Sequence, residues 1–456
     1  MIPRSFFLQL IEQEFGEFED FLHQSTDREI HGFLAELHPA DIADIVERLQ
    51  EEDRTRVLGL LSEELAAEVL TLVEDHHKPE VLESIPEQTL SKIVRHMESD
   101  DVTDILEEMP REEAEEILEA LPKQDSEQVR RLMSYPPDSA GGLMQTELIK
   151  VPPDFTLGQS IQRIREKQAE VGEILSVYVV NESEVLLGII PLRTLILEDP
   201  GKKVSEVMVS AVISALVTMD QEQVAALFRK YDFISLPVVD AQSKLLGRIL
   251  VDDVVDVIEE EASEDMYRLA GVDKEERVND PPLRSIRLRL PWLGINLLTA
   301  ILAASVVGFF QTTIQKVVVL AVFMPIVAGM GGNAGTQSLT VITRGIALGD
   351  LTFSNAKRVL FKEVLTGLMN GLLLGGLMAV LAFLYRGNPM LGVVIGLAMI
   401  CNMFIAALAG TAVPLILKWA KVDPALASGV FVTTFTDVTG FFSFLGLATL
   451  FLRFLT

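Results

Sequence analysis

Cysteine is almost absent from this chain of 456 residues. Cys401 is the only one, and because it lies in an apolar stretch the chain cannot form an intrachain disulfide. A reducing, cytoplasmic environment therefore fits the polar part of the chain. Enzyme signatures are lacking as well. The sequence contains no P-loop and no motif of a phosphorylated ATPase, and none of its six histidines lies near a credible nucleophile. We therefore expect no enzyme activity.

Basic charge is scarce, with 38 Lys and Arg against 66 Asp and Glu. The imbalance is confined to one part of the chain. From Arg284 onward there are 12 basic and 4 acidic residues, a net charge of +8, whereas the preceding residues hold 26 and 62, a net charge of −36. Such a negative surface excludes nucleic-acid binding and predicts self-repulsion that small cations would relieve. An acidic soluble part is joined to a weakly basic apolar part.

The apolar part contains five long segments, each of at least the roughly 20 residues that a membrane-spanning helix needs. They run approximately over residues 290–315, 317–343, 359–385, 391–417 and 425–455. Nine basic residues flank them on the side of the N-terminal part and three on the other. This asymmetry predicts a multi-pass protein of the inner (plasma) membrane with a cytoplasmic N-terminal part and an outside C-terminus. The first thirty residues are acidic and lack an apolar run, so no cleavable signal peptide is expected.

One acidic residue, Asp437, lies near the middle of the last segment, Val430 to Leu450. An Asp at membrane depth costs about 2.5–3.5 kcal/mol on insertion scales, so it normally faces a water-filled path or a bound cation. The alternative is an Asp that caps a helix break or bonds to Thr434 or Thr436 between packed helices.

The first 135 residues have a helical pattern of short amphipathic runs closed by prolines. The segment at 41–49 (DIADIVERL) recurs at 101–109 (DVTDILEEM) with the same order of acidic and apolar residues. This spacing predicts a solenoid of helical hairpins with exposed carboxylate edges. Two similar helices in an ordinary bundle are the alternative, and in either case we expect the acids to face outward. The prolines concerned are Pro39, Pro79, Pro86, Pro110 and Pro122.

From residue 136 the pattern changes to alternating strands and helices. Residues 176–196 are typical of a strand, a turn, a second strand and a helix start, and residues 234–258 repeat that order. The two halves resemble a pair of CBS (cystathionine-β-synthase) domains. After them, residues 251–271 continue as a charged helix on which acids crowd three turns, a pattern that can recruit hard cations. A solvated acidic face is the alternative. The crowded acids are Asp252, Asp253, Asp256, Glu259, Glu260, Glu261, Glu264 and Asp265.

Four segments together resemble the MgtE family of magnesium channels and transporters over nearly the whole chain. They are PIVAGMGGNAGTQSLTVITRGIALGD (325–350), TTFTDVTGFFSFLGLATL (433–450), the acidic linker at 252–272, and PPDSAGGLM (136–144). The resemblance implies a multidomain membrane protein with an α-helical solenoid, α/β tandem CBS domains, a linking (plug) helix and five transmembrane helices that form a homodimeric pore. The expected domains are residues 1–135 (acidic helical domain), 136–200 and 201–258 (CBS domains), 252–283 (plug helix and linker) and 284–456 (transmembrane domain).

The resemblance also implies which residues meet ions. Asp437 of each subunit would hold a hydrated Mg²⁺ in the pore, which suits an ion that gives up its waters reluctantly. Candidates for the pore lining are Asn333, Thr336, Gln337, Thr433 and Thr434, and for the first three polar packing between helices is an equal alternative. Regulatory Mg²⁺ would hold the soluble domains together and close the pore. The matching acids are Asp101, Glu222, Asp232, Asp253, Asp256, Glu261, Glu264, Asp265 and Asp423.

The expected function is Mg²⁺ uptake gated by intracellular Mg²⁺. A Na⁺-coupled Mg²⁺ exchanger and a membrane-anchored divalent-cation sensor are the alternatives. The expected partners are a second copy of the chain, the lipid bilayer and Mg²⁺, the only expected cofactor. One departure from the family argues against ATP: Leu192-Arg193-Thr194 stands where an Asp often follows the Arg, and Leu250 and Val251 precede the acids of the second half in place of a Ser or Thr.

Overall fold

The computed structural model describes residues 15–74, 77–168, 171–172, 174–278, 280–426 and 429–456. The first 14 residues of the expected helical domain and residues 427–428 of the expected fifth span lie outside the described residues. By its internal contacts the chain divides into two compact units, Met1–Ile258 and Glu259–Thr456.

The described part of the first unit begins with ten short α-helices. Several of the prolines in this part of the sequence begin the next helix instead of ending the previous one. Pro39 is the first residue of α3 (Pro39–Arg48), and Pro110 is the N-cap of α9 (Arg111–Ala120). Proline suits these positions because the first helical N–H groups have no partner within the helix. The helices are α1 (Phe15–Gln24), α2 (Asp27–Leu34), α3 (Pro39–Arg48), α4 (Glu51–Leu60), α5 (Glu63–Thr71), α6 (Lys78–Glu83), α7 (Glu87–Ile93), α8 (Ser99–Glu107), α9 (Arg111–Ala120) and α10 (Lys123–Leu132).

These helices form a solenoid, as the sequence predicts. Helices two positions apart in the chain pack together, as α3 does on α5 and α5 on α7, and they share one continuous apolar core. The repeated segments begin on α3 and α8 and have the same burial pattern over their first six residues, with Asp44 and Asp104 exposed. The expectation that all their acids face outward is wrong for Asp41, Glu47 and Asp101, which are half-buried.

Two small sheets follow, each with the same topology. In the first, β1 (Lys150–Val151) pairs in parallel with β2 (Ser176–Val180), which pairs antiparallel with β3 (Leu186–Pro191). In the second, β4 (Ala215–Leu216), β5 (Ser235–Val239) and β6 (Leu245–Leu250) repeat that order. The predicted repeat of strand, turn, strand and helix is therefore confirmed. The accompanying helices are α11 (Leu157–Lys167), α12 (Leu192–Leu197), α13 (Val204–Val207) and α14 (Gln221–Tyr231).

The acidic helix α15 (Val251–Ala270) follows β6 directly, and long helices make up most of the second unit. They are α16 (Pro282–Phe309), α18 (Leu320–Ala347), α19 (Ala356–Arg386), α20 (Pro389–Trp419) and α21 (Gly429–Leu450), with the short helices α17 (Gln311–Lys316) and α22 (Leu452–Leu455).

By length and composition, four of the described helices can cross a membrane: α16, α19, α20 and α21. Helix α18 has 28 residues, which is long enough, but its run of Gly, Asn, Thr and Gln lowers its mean hydropathy. The prediction that α18 is the fifth spanning helix therefore depends on its length and on its packing against α20 and α21.

Helices α19 and α20 pack closely along a row of glycines on α19. A Cβ atom built on Gly371 would lie 2.9 Å from Cα of Ile400 on α20, and one on Gly375 would lie 2.7 Å from the carbonyl oxygen of Gly396. Side chains do not fit at these positions without moving a backbone. Small residues allow this approach, which supplies the van der Waals contact that holds helices together in lipid.

We expect Gly371→Ala to destabilise the second unit, because its methyl group must push the α20 backbone away. Overpacking of this kind costs about 1–3 kcal/mol, which lowers the midpoint of thermal unfolding in detergent by a few degrees. Gly376→Ala is the matched control, because a Cβ atom there meets nothing within 4 Å. Equal midpoints for the two variants would contradict the packing of α19 on α20.

Candidate functional site

Asp437 is half-buried on α21. The hydroxyl of Thr434 donates to the carbonyl oxygen of Val430 at 2.6 Å, and that of Thr436 donates to the carbonyl oxygen of Thr433 at 2.9 Å. Both hydroxyls are thus bonded within their own helix, which is unbroken from Gly429 to Leu450. Among the described residues, no group donates a hydrogen bond to Asp437 or forms an ion pair with it. The geometry therefore does not support a capping role for this carboxylate.

The position of Asp437 follows from how α21 packs. Val432, Thr436, Gly440 and Phe444 are spaced four residues apart and are all buried, so they form one stripe of the helix that faces the other helices. Asp437 follows Thr436 by one residue, which turns it about 100° away from that stripe. The carboxylate consequently lies on the flank of α21 and not in its packed face.

Helix α18 has two distinct faces. Gly331, Gly332 and Gly335 are buried, and a Cβ atom on Gly332 would lie 3.5 Å from the methyl carbon of Thr433 on α21. The predicted lining residues of α18 are all exposed on the other face, whereas Thr433 and Thr434 of α21 are half-buried. An exposed polar face is costly on a helix surrounded by lipid. The exposed residues are Asn333, Thr336 and Gln337.

A second buried carboxylate in the apolar part was not singled out from the sequence. Glu363 on α19 is 6% exposed. It accepts a hydrogen bond from the hydroxyl of Ser338 on α18 at 3.0 Å and lies 2.8 Å from the ammonium group of Lys362. The sequence feature that could have identified it is that Glu363 is the only acid of a long, largely apolar helix and lies next to a lysine. Because its charge is already compensated, Glu363 joins α18 to α19 and differs from Asp437 in having partners.

The C-terminal end of α15 carries an ion-pair network. Arg268 pairs with both Glu264 and Asp423, and Lys274 pairs with Glu264 at 3.2 Å. Nearby, burial raises the pKa of Asp265, and the positive charges of Arg268 and Arg344 oppose that shift. Two of the predicted regulatory acids are therefore held together by an arginine of the chain itself. Sequence reasoning missed Arg268 because it considered only the acids of this helix.

Leu269, the next residue of α15, packs against the membrane helices. It contacts a small apolar cluster formed by Leu339 of α18 and Val432 of α21, with Val413 and Leu417 of α20 alongside. The end of α15 is thus in contact with the two helices that carry the predicted pore residues.

A cluster of acids lies within the first unit, where α8 approaches the start of α15. We call it the α8–α15 acidic cluster. The amide nitrogen of Gln145 donates to Glu98 at 2.6 Å, and the hydroxyl of Thr71 donates to Asp101 at 3.0 Å. The backbone N–H of Leu250 donates to Asp253 at 3.2 Å. The members are Glu98, Asp100, Asp101, Glu147, Asp252 and Asp253.

Burial and mutual repulsion raise the pKa values in this cluster. Burial is the largest cause at Asp100, whose pKa lies well above its usual range, and the charges of Asp101 and Asp253 add to it. Burial and then the charge of Asp252 raise the pKa of Asp253 to about 8. The pKa of Glu98 is also raised, mainly by burial, although the positive charge of Arg248 opposes the shift. Negative charge is therefore only partly compensated here, in contrast to the end of α15.

The α8–α15 acidic cluster brings Asp101 and Asp253 together from the predicted regulatory set. The other predicted acids of the first unit lie apart from one another: Glu222 and Asp232 are exposed at opposite ends of α14, separated by about 15 Å of helix. Asp256 is exposed on α15, and Glu261, in the second unit, is half-buried. Within the described ranges, no group of three or more His, Cys, Asp or Glu side chains is arranged closely enough to hold a metal ion.

Three family profiles match successive parts of the chain. The MgtE intracellular N domain matches residues 37–138, the CBS domain matches residues 140–201 and 204–260, and the divalent cation transporter profile of MgtE matches residues 324–447. The magnesium transporter MgtE of Bacillus subtilis is 37% identical over 326 residues, which are 71% of this chain and 72% of that protein. The chain belongs to the MgtE family of divalent cation transporters.

Two solved structures are similar to the soluble part of this MgtE family member. The soluble part of a magnesium transporter aligns with a TM-score of 0.51 at 27% identity, covering 55% of this chain and 99% of that one. The cytosolic domain of the Mg²⁺ channel MgtE in complex with ATP aligns with a TM-score of 0.50 at 34% identity, covering 52% and 98%. The predicted fold class is confirmed. The presence of ATP in that structure does not test the substitution of Thr194 here, so the argument against nucleotide binding stays a prediction.

We expect the stability of the first unit to fall as the pH rises when no divalent cation is present. Between about pH 4 and pH 8, an unfolded chain has lost the proton of Asp253 whereas the folded chain keeps it. Folding then becomes less favourable with each pH unit, and this contribution becomes constant above about pH 8. The measurement is the rate of limited proteolysis of the whole protein in EDTA, which should be several-fold faster at pH 8.5 than at pH 6.5.

Asp253→Asn should make that pH dependence shallower, because the amide does not titrate. Asp154→Asn is the control at an exposed position and should keep the wild-type slope. If Asp253→Asn and Asp154→Asn gave the same slope, Asp253 would not be the group that titrates.

Proposed function

We propose that the chain is a Mg²⁺-selective channel or transporter that takes up magnesium across the inner membrane. Two copies would form the pore, with Asp437 of each subunit facing it, the soluble domains in the cytoplasm and the C-terminus outside. The observation that carries the proposal is the half-buried carboxylate of Asp437, which has no partner within the described ranges and lies beside the packed stripe of α21. A carboxylate at this depth without a protein cation fits a path for cations. The relative from Bacillus subtilis, named a magnesium transporter, supports Mg²⁺ as the substrate.

The second copy is proposed from the exposed surface of α18. In one copy, Asn333, Thr336 and Gln337 are exposed although they lie on a helix at membrane depth. Amide and hydroxyl groups of this kind are stable there when they face water or another protein surface. A pore between two copies, lined by this face and by Asp437, Thr433 and Thr434, would supply both the water and the second protein surface.

Each Asp437 carboxylate would accept hydrogen bonds from water of the hydrated ion. Mg²⁺ binds six oxygen atoms in a tight octahedron and keeps most of its waters, whereas Ca²⁺ has a looser and more variable shell. Two carboxylates that hold the ion through its waters would therefore favour Mg²⁺. This arrangement attracts the ion by charge without removing its water shell.

For regulation, the acids of the α8–α15 acidic cluster fit the donor chemistry of Mg²⁺, which prefers carboxylate oxygens. Burial, and then repulsion from neighbouring carboxylates, raises the pKa values of Asp100, Asp101 and Asp253. Intracellular Mg²⁺ bound among them would offset the repulsion between α8 and α15, and its loss would restore it. Of the remaining predicted regulatory acids, Glu264 and Asp423 already have Arg268 as a partner.

We also propose the domain boundaries predicted from the sequence, which run from residues 1–135 to residues 284–456. The matched family profiles support them.

We expect Asp437→Asn and Asp437→Ala to reduce Mg²⁺ uptake into liposomes by at least about tenfold, because both remove the charge that attracts the ion. Folding should be preserved, since the helix loses only a costly charged group. Asp350→Asn, at an exposed acid of the same unit, is the control and should transport normally. Wild-type uptake by well-folded Asp437 variants would refute the pore assignment.

The same liposomes distinguish the alternatives. Uptake that requires an opposing Na⁺ gradient would indicate the Na⁺-coupled exchanger. A folded protein that binds Mg²⁺ but moves none in either condition would indicate the membrane-anchored sensor.

We also expect Mg²⁺ in the millimolar range to protect the first unit from limited proteolysis. The triple variant Asp100→Asn, Asp101→Asn, Asp253→Asn should lose most of that dependence, because the repulsion and the ion-bridged attraction disappear together. A charge-matched control is the triple variant Glu112→Gln, Glu113→Gln, Asp125→Asn, at exposed positions of the same domain, and it should keep the dependence. Equal protection curves for the two variants would mean that the cluster is not the Mg²⁺ sensor.

A further inference from the structure

Asn402 lies where three membrane helices meet, and neither the sequence motifs nor the family profiles assign it a role. It is 1% exposed near the middle of α20. Its side-chain nitrogen donates to the carbonyl oxygen of Val327 on α18 at 2.7 Å. A Cβ atom built on Gly440 of α21 would lie 2.9–3.0 Å from three atoms of its amide group, and one on Gly331 of α18 would collide with it. The amide therefore occupies the space that two glycines leave open.

This amide is only half satisfied. Its oxygen, Oδ1, is buried and has no hydrogen-bond partner among the described residues. Such an acceptor is costly in an apolar environment, and leucine has the same branched skeleton without that cost. Compared with leucine, asparagine at this position therefore lowers the stability of the packed helices. It adds one directed hydrogen bond between α20 and α18. A directed bond fixes how two helices are rotated against each other, which apolar packing alone does not.

The rotation of α21 is set at the same point. Gly440 belongs to the buried stripe of α21 and lies three residues, about one helical turn, from Asp437. Any side chain larger than hydrogen at Gly440 would press on Asn402, so that either the amide or α21 would have to shift. The direction in which Asp437 projects thus depends on the contact between Gly440 and the amide of Asn402.

We propose that Asn402 is a positioning residue for Mg²⁺ transport: it links α18 to α20 and forms the surface against which α21 is seated, so that Asp437 projects toward the ion path. The proposal rests on the proposed function, because it assumes that Asp437 meets the ion.

The test is Mg²⁺ uptake by the full-length Asn402→Leu variant in liposomes, with KM, maximal rate and the Mg²⁺/Ca²⁺ uptake ratio measured per folded molecule. Leucine keeps the number and branching of the side-chain heavy atoms and removes the hydrogen bond to Val327. We expect KM for Mg²⁺ to rise about tenfold or less and the Mg²⁺/Ca²⁺ ratio to fall, in line with the loss of one buried hydrogen bond. Thermal stability should be equal to or higher than that of the wild type.

Thr411→Val is the matched control. Thr411 is also fully buried on α20, but its hydroxyl donates only within its own helix, to the carbonyl oxygen of Ala407. This variant should keep the wild-type KM and uptake ratio. Wild-type KM and uptake ratio in Asn402→Leu, or the same changes in both variants, would overturn the proposal.

A second pair of variants tests the contact with α21 directly. Gly440→Ala should raise KM because its methyl group meets the amide of Asn402. In the double variant Asn402→Ala, Gly440→Ala the amide is gone, so the added methyl group should cause no further rise over Asn402→Ala alone. Additive rises in KM would overturn the proposal.

Failure of the proposed function gives a different result. If Asp437→Asn transports as the wild type does, the pore assignment fails whatever Asn402 does. If uptake depends on Asp437 and is unaffected in Asn402→Leu, the positioning role alone fails.

Discussion

In the second unit, glycines bring helix backbones into direct contact, and this contact decides which helix faces remain for polar side chains. A Cβ atom on Gly410 of α20 would lie 2.5 Å from the carbonyl oxygen of Gly335 on α18, and the glycines of α19 meet α20 in the same way. Lipid tails are as apolar as leucine, so helices in a membrane gain little from burying apolar area against each other. Close packing takes over that role. Once the small residues occupy the contact faces, Asn333, Gln337 and Asp437 are left on the faces that remain.

The first unit combines two opposite tendencies. A continuous apolar core joins its helices, whereas the α8–α15 acidic cluster concentrates negative charge where a helix of the solenoid meets the helix that follows the second sheet. The raised pKa values of Asp100 and Asp253 show that this junction is electrostatically unfavourable when it carries full charge. Core burial keeps each domain folded, while the raised pKa of Asp253 makes the junction between α8 and α15 dependent on pH. The residues of the apolar core and the residues whose charge depends on pH are therefore different ones.

Local patterns made much of this architecture predictable. The repeat at 41–49 and 101–109, the two consecutive strands of each sheet and the isolated Asp437 are each encoded within short stretches of sequence, whereas the short strands β1 and β4 were not predicted. The α8–α15 acidic cluster was only half predictable, because Glu98 and Glu147 join Asp253 through folding across more than a hundred residues. Asn402 could not be identified from the sequence, because its role depends on contacts with glycines of two other helices, and these contacts exist only in the folded structure. Mean hydropathy indicates a membrane span less clearly for α18 than for the other four long helices, because the polar residues on its exposed face lower the average.

Arg268 gives the end of α15 a cation that cannot diffuse away. Its guanidinium group lies between Glu264 and Asp423, and because it is covalently attached its local concentration is the same whatever the ionic composition of the cell. An ion site that depends on free Mg²⁺ empties as the concentration falls, but a tethered charge does not. The attachment of α15 to the loop before α21 therefore needs no bound Mg²⁺, in contrast to the ion bridge that we propose at the α8–α15 acidic cluster.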